Sequence, residues 1–326
     1  MALRIASDMK LFDAAAKANG GEVRIEQLAA ATGADLLLIT RIMRMLVGMG
    51  VFKEVGKDTF MSTPLAATYV TGSPLTDAVT HMLPEYFEER GFQSPSDAYD
   101  GPFQYAMSSK SHYFEWLEST PKHQQAFNTL MGISRMNRGE EWFDFYPVEK
   151  KLRVADTETL LVDIGGGLGH DLVAFKQRFP QLPGKLIVHD LPIVIDDVKN
   201  QPSGIEAMKH DFFTPQPIKG AKAYYLRTVL HDWPDKQARE ILSNIRAVMN
   251  KDSILLINEN ALPDSNVPLY PAELDMSMMV LSSSLDRTQT QFKELLDSAG
   301  LDLVQVWTPK VIIPGSGTLF EAILKT

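Results

Sequence analysis

Residues 162–169 read Val162-Asp163-Ile164-Gly165-Gly166-Gly167-Leu168-Gly169, an apolar run that ends on a carboxylate and passes through four glycines toward a helix predicted to start near His170. Glycines without a Cβ permit a sharp turn and let a ligand approach the backbone closely. The helix that follows offers free N–H groups and a partial positive charge at its start. Such a turn alone is shared by nucleotide-phosphate sites and by plain tight turns. The spacing is not that of a dinucleotide loop, because no third glycine stands in phase after Gly165 and Gly167, and the GK[ST] ending of a P-loop is missing.

Outward from this loop, short apolar runs alternate with amphipathic helices. LLVDI (160–164), KLIVHD (185–190), AYYLR (223–227) and SILLINE (253–259) are the predicted strands, and residues 238–249 form a predicted helix whose stripe is Ala238, Ile241, Leu242, Ile245, Val248 and Met249. The pattern predicts an α/β fold with a Rossmann-like, doubly wound parallel sheet. LDLVQVW (301–307) and TLFEAILK (318–325), joined through PGSG, predict a closing antiparallel hairpin with a long loop. Asp163, Asp190 and Asp211 all fall at expected carboxyl ends of strands, where open sheets bind ligands. Asp190 can accept both hydroxyls of a ribose, and Asp211-Phe212 offers an acid beside an aromatic face for an adenine. Each alone reads equally as a turn residue or a packed ring; the three together favour a bound nucleoside.

Upstream, residues 1–150 read as almost wholly helical, with Ile5, Met9, Phe12 and Ala16 at helical spacing. Within them, 24–47 reads as helix, turn at Gly33, helix, and 51–61 as a two-stranded wing, a winged-helix outline. A chain of 326 residues is long enough for two domains, expected over 1–150 and 151–326. DNA binding is weighed against charge. Residues 1–75 hold eight Lys+Arg and seven Asp+Glu, and the second helix shows Leu36, Leu37, Leu38, Ile39 and Met43 with only Arg41 and Arg44 basic. A phosphate-binding face is absent, so a dimerising role is expected. The net charge of −9 and pI near 5.3 likewise give no electrostatic reason to meet nucleic acid or an anionic membrane. Zero cysteines exclude disulfides and thiolate metal sites. With neither a secretory signal pattern nor a membrane-length apolar run, a cytoplasmic protein is expected.

Four motifs in order, LVDIGGGLGHDLVAFKQRFPQL, HDLPIVI, KHDFF and LRTVLHDWPDKQAREIL, give the chain a resemblance to the plant and fungal small-molecule O-methyltransferases of the caffeic-acid type over nearly its whole length. The last motif is the most specific. The resemblance implies S-adenosylmethionine as cofactor, without a metal, and a small, largely apolar, aromatic acceptor methylated on oxygen. It places Asp163, Gly165 and Gly167 at the methionine end of the cofactor, Asp190 and Leu191 at the ribose, and Asp211 and Phe212 at the adenine. Arg227 stands where plant members tend to have lysine. His231 matches the general base, Glu259 one acid that orients it, and Asp286 the place of a second acid, usually Glu. Phe127, Met131 and Met278 match substrate-pocket positions, while Ser134 replaces a histidine found near the substrate in plant relatives. A homodimer through the N-terminal, lid-forming domain is also implied, and relatives carry further helices upstream of the position of Met1.

The chemistry suits these residue types. In-line transfer of an activated methyl needs two reactants aligned and one proton removed. A phenol near ~10 is neutral at pH 7, and a histidine near ~6.5 is free to accept its proton. An acid on one ring nitrogen would fix the tautomer and stabilise the imidazolium. His81, His112, His123, His170, His189 and His210 show no metal-ligand spacing. Two rival readings stay open: the same scaffold turned to a pericyclic or dehydration step, and a winged-helix regulator with a vestigial cofactor domain.

Overall fold

The chain separates into two compact units, Met1–Met136 with Val267–Ser284, and Asn137–Asn266 with Leu285–Thr326. The computed structural model describes residues 2–18, 21–71, 83–91, 93–120, 123–124, 127, 139–196, 203–265, 267–311 and 316–325.

In the first unit, helices Ile25–Thr32 and Leu36–Gly48 flank Gly33, whose φ of +68° is the left-handed conformation a glycine adopts at a helix end. Asp35 caps the second helix by accepting from the Leu38 N–H. Strands β1 (Glu22–Arg24), β2 (Phe52–Gly56) and β3 (Thr59–Ser62) form an antiparallel sheet in the order β1-β3-β2, so the expected wing gains a third strand. Its core joins Phe12, Leu28, Ile39, Met43, Leu46 and Phe52. The helical stepping from Ile5 to Ala16 is divided into Ala2–Asp8 and Leu11–Ala16, because Lys10 stands at φ +60° between them. Helix Leu269–Ser282 packs within this unit against Pro102–Met107.

The second unit is built on seven strands. They are β4 (Thr159–Ile164), β5 (Lys185–Asp190), β6 (Ile205–Lys209), β7 (Ala223–Arg227), β8 (Ile254–Glu259), β9 (Leu301–Trp307) and β10 (Thr318–Leu324). Their order is β6-β5-β4-β7-β8-β10-β9, with β10 antiparallel to both neighbours and the remaining pairs parallel. Burial on both faces explains why β4, β7 and β8 read as continuous apolar runs rather than as alternation. Glu321, buried at a bulge of β10, is neutralised by Lys151 at 2.6 Å and accepts from the Trp307 indole at 2.9 Å. The helix expected over 238–249 runs instead Asp235–Arg246, with Pro234 at its N-cap and Asp235 in its first turn. Strand order reverses at β4, so the carboxyl ends of β4 and β7 flank the switch point where ligands bind in such sheets.

Candidate active site

The turn after β4 is shaped by three glycines in the left-handed region, Gly165, Gly167 and Gly169 at φ +69°, +60° and +77°. Gly166 is required by space instead, since a Cβ there would lie 2.5 Å from the Asp163 carboxyl and 2.7 Å from Val188. The Gly165 and Gly166 N–H groups donate to the His189 carbonyl at 2.9 and 3.1 Å, which pins the loop to the end of β5. Asp190 continues the seam. One of its oxygens accepts from the Gly167 N–H at 2.7 Å and the other from the Leu191 N–H at 2.8 Å. Burial pushes this carboxyl up, against the pull of those two donors. Phe212 reaches the same loop, lying 3.6 Å from where a Cβ of Gly165 would stand, and its ring meets Trp233 and Phe213 edge-on. Asp211 accepts from the Phe213 N–H at 2.9 Å. The glycine loop, Asp190 and the Asp211-Phe212 turn therefore converge on one place.

Arg227, the last residue of β7, is engaged by two acids that the sequence reading did not single out. Its Nη1 lies 2.7 Å from Asp171 and 3.1 Å from Glu141. Asp171 also accepts from the Tyr225 hydroxyl, which in turn accepts from Asn258. Trp142 covers this network, stacked between Phe175 and Tyr225. The sequence signal for Asp171 is its place in the first turn of the helix His170–Arg178, where an acid meets the positive end of the helix.

Beyond β7 the chain makes a strained turn. Thr228, a β-branched residue, sits at φ +48°, and the single helical turn Leu230–Asp232 follows. Two buried charged side chains hold it. Glu259 Oε1 accepts from the Val229 and Leu230 N–H groups at 3.0 and 2.9 Å. Arg287, 1% exposed, donates to the Leu230 and Trp233 carbonyls at 2.7 and 2.8 Å and pairs with Asp235. Arg287 was not singled out by sequence, and its neighbour Asp286 was.

The turn presents His231 between acids. Its Nδ1 lies 3.2 Å from Asp286 Oδ1, and its Nε2 lies 3.5 Å from Asp232 Oδ1. Burial depresses the imidazole, but Asp232, Glu259 and Asp286 together outweigh it and raise the ring to about 10. Burial lifts Asp232 and Glu259 each to about 6, opposed by the charge on His231. Among the described residues Glu259 contacts the backbone of the turn rather than the ring, and its buried Oε2 has no hydrogen-bond partner.

The remaining predicted positions belong to the first unit. Phe127 packs edge-on to Tyr113 and Phe114. Met278, half-buried on helix Leu269–Ser282, gives its carbonyl to the Ser284 N–H. Met131 and Ser134 lie outside the described residues. A cleft of about 550 Å³ in this unit is lined by Arg90, Tyr99, Asp100 and Tyr105, and among the described residues none of the predicted site residues lines it. Among the described residues no group of three or more His, Cys, Asp or Glu is arranged to hold a metal ion, and no helix is long and apolar enough to cross a membrane.

Residues 80–302 match the O-methyltransferase domain model, and residues 1–72 match the O-methyltransferase dimerisation domain. The chain belongs to the O-methyltransferase family. Among its relatives, O-methyltransferase mfmE of Annulohypoxylon moriforme is 34% identical over 96% of this chain and 80% of its own. Demethylsterigmatocystin 6-O-methyltransferase of Aspergillus flavus is 35% identical over 93% and 80%. Among solved structures, the complex of LepI with S-adenosylmethionine superposes with a TM-score of 0.70 at 30% identity, over 99% of this chain and 85% of that one. A structure described as a pericyclic reaction enzyme gives the same score and identity, over 99% and 86%. OxaC with S-adenosylhomocysteine and oxaline gives 0.67 at 30%, over 99% and 84%. This O-methyltransferase is an S-adenosylmethionine-dependent enzyme of the fungal secondary-metabolite type. Its dimerisation domain supports a homodimer, and that domain's helix Leu36–Gly48 leaves Leu36, Leu38 and Met45 exposed.

Proposed function

We propose that His231 is the general base that takes the proton from a phenolic hydroxyl of a small aromatic acceptor during methyl transfer to that oxygen. The observation that carries this reading is the His231 ring, held on a strained turn at the carboxyl end of β7 with Asp286 on Nδ1. Asp163, Gly165, Gly167, Asp190, Leu191, Asp211, Phe212 and Arg227 would hold the cofactor. They fit it. Gly167 has open space where a Cβ would stand, and each Asp190 oxygen, already taking one N–H, has a second lone pair for a ribose hydroxyl.

When bound, the cofactor supplies a methyl group already activated by a sulfonium. The protein does the rest. Asp286 retains a proton on Nδ1, which directs the Nε2 lone pair at the acceptor hydroxyl. Glu259 and Arg287 fix the turn, so the base does not have to be positioned at the moment of reaction. The surrounding carboxylates, which raise the ring, make the neutral imidazole a stronger acceptor for the proton of a phenol near ~10. Phe127, Met131 and Met278 would line the acceptor's apolar pocket, with residues 1–150 acting as dimerisation and lid domain.

The test is incubation with S-adenosylmethionine and a panel of hydroxylated aromatic compounds, read by mass spectrometry. Gain of one methyl group with equimolar S-adenosylhomocysteine supports the reading. Similarity to a pericyclic reaction enzyme makes the second outcome specific: an acceptor that isomerises with no gain in mass would place this chain with the non-methylating uses of the scaffold.

A further inference from the structure

A base that must accept a proton is built here with a carboxylate on each ring nitrogen. Nδ1 faces Asp286 at 3.2 Å and Nε2 faces Asp232 at 3.5 Å. A neutral imidazole has one N–H, so it can satisfy one of these carboxylates and must turn a lone pair toward the other. Only the imidazolium donates to both. Among the described residues no competing cation pairs with Asp232 or with the ring. Asp232 comes from the ring's own turn, Asp286 from the segment before helix Gln289–Ser298, and Glu259 from the end of β8, while the nearby Arg287 is spent on the Leu230 and Trp233 carbonyls and on Asp235. Glu259 adds a buried oxygen without a hydrogen-bond partner among the described residues. Three carboxylates around one ring make a pocket that calls for positive charge.

We propose that Asp232 and Asp286 clamp His231 as the imidazolium in the resting protein, and that binding of the cationic methyl donor, but not of its neutral product, loosens that clamp so that the ring gives up its proton and frees Nε2 at a lower pH. Asp232 is thereby a positioning residue for the base. The inference rests on the reading of His231 as general base. Charge is conserved through the step. The acceptor O–H proton passes to Nε2, the oxygen pair forms the new C–O bond, and the broken C–S bond returns its pair to sulfur. Positive charge thus leaves the sulfonium and reappears on the imidazole inside the same carboxylate cage.

The size of the effect follows from reach. A base within hydrogen-bond distance of an oxygen that is itself in line with the methyl donor lies roughly 6 Å from the sulfonium. At an effective dielectric constant of about 20, two like charges at that distance lower the ring by about two pKa units. Starting from about 10, His231 would titrate near ~8 with the cation bound. Linkage then requires affinity for S-adenosylmethionine to rise about tenfold from pH 7 to pH 9, with about 0.8 proton released per site at pH 9.

Isothermal titration calorimetry of the full chain with S-adenosylmethionine and with S-adenosylhomocysteine, at pH 7, 8 and 9 in two buffers of different ionisation enthalpy, reads both quantities. The tenfold gain and the proton release are expected for S-adenosylmethionine alone. Both should vanish in His231→Gln, with retained S-adenosylhomocysteine binding showing that the variant is folded. In Asp232→Asn the gain should move to lower pH. Equal pH dependence for the two ligands overturns the proposal. If His231→Gln then still loses methyl transfer, the general-base reading survives that result; if it keeps methyl transfer, that reading falls separately.

Discussion

Replacing Glu259 separates what its shape does from what its charge does. In the folded protein Oε1 is the acceptor for two buried N–H groups, those of Val229 and Leu230, at the point where Thr228 is forced to φ +48°. Glu259→Ala removes that acceptor and leaves both donors without a partner in a region where Val229 is 5% and Leu230 0% exposed. An unsatisfied buried N–H costs about 1–3 kcal/mol, so the pair costs about 3 kcal/mol. For a domain of 150–250 residues that is a fall in Tm of roughly 6–12 °C. Glu259→Gln keeps a carbonyl oxygen in place of Oε1, so its stability should lie within about 1 kcal/mol of the parent. Charge is lost in both variants. Urea unfolding followed by tryptophan fluorescence measures the difference, because Trp233 stands at the end of the turn and Trp142 within the second unit's core. Equal losses in the two variants, or none in Glu259→Ala, would refute the argument that Glu259 acts by holding the backbone of the turn.

Two further outcomes are expected. Gly166→Ala forces a methyl to within 2.5 Å of the Asp163 carboxyl and 2.7 Å of Val188; overpacking of this kind costs about 1–3 kcal/mol. It should also abolish the thermal shift given by S-adenosylhomocysteine, and an unchanged shift would show that the loop does not contact the cofactor. His189 is fully buried and depressed to about 4, by burial first and by neighbouring His210 second. The unfolded chain takes up this proton near ~6.5 while the folded chain cannot, so stability is lost as pH falls from about 6.5 toward 4, by about 2–3 kcal/mol at pH 4.5. His189→Phe should remove that part of the acid sensitivity in urea titrations at pH 7 and 4.5; an unaltered pH dependence would contradict it.

Strands β5 and β7 were legible residue for residue, because strands buried on both faces are continuous apolar runs bounded by turn residues. The closing hairpin was legible from two apolar runs joined through Pro-Gly-Ser-Gly. Helix limits were less so. Asp235–Arg246 begins upstream of its apolar stripe because Pro234 and Asp235 favour a helix start, a local signal that periodicity does not contain. β1 is three residues long, with one buried side chain, and is defined only by pairing with β3.

At the site, residues within one motif were readable and ties between distant segments were not. Asp190 bonding Gly167, Arg287 bonding the His231 turn, and Glu141 with Asp171 on Arg227 are set by the sheet, which brings segments far apart in sequence to one switch point. A resemblance could carry over His231, Glu259 and Asp286. It could not show that Glu259 meets backbone while Asp232, adjacent in sequence, faces Nε2.

Oxygen-directed methyl transfer by this protein depends on His231 as base. Its most direct test is single-turnover transfer of labelled methyl from S-adenosylmethionine to a phenolic acceptor by the parent protein and by His231→Ala, with S-adenosylhomocysteine binding as the control for folding. A fall of ~10²–10⁴ in the transfer rate at unchanged product affinity is expected for loss of a general base. Undiminished transfer by His231→Ala would contradict the claim.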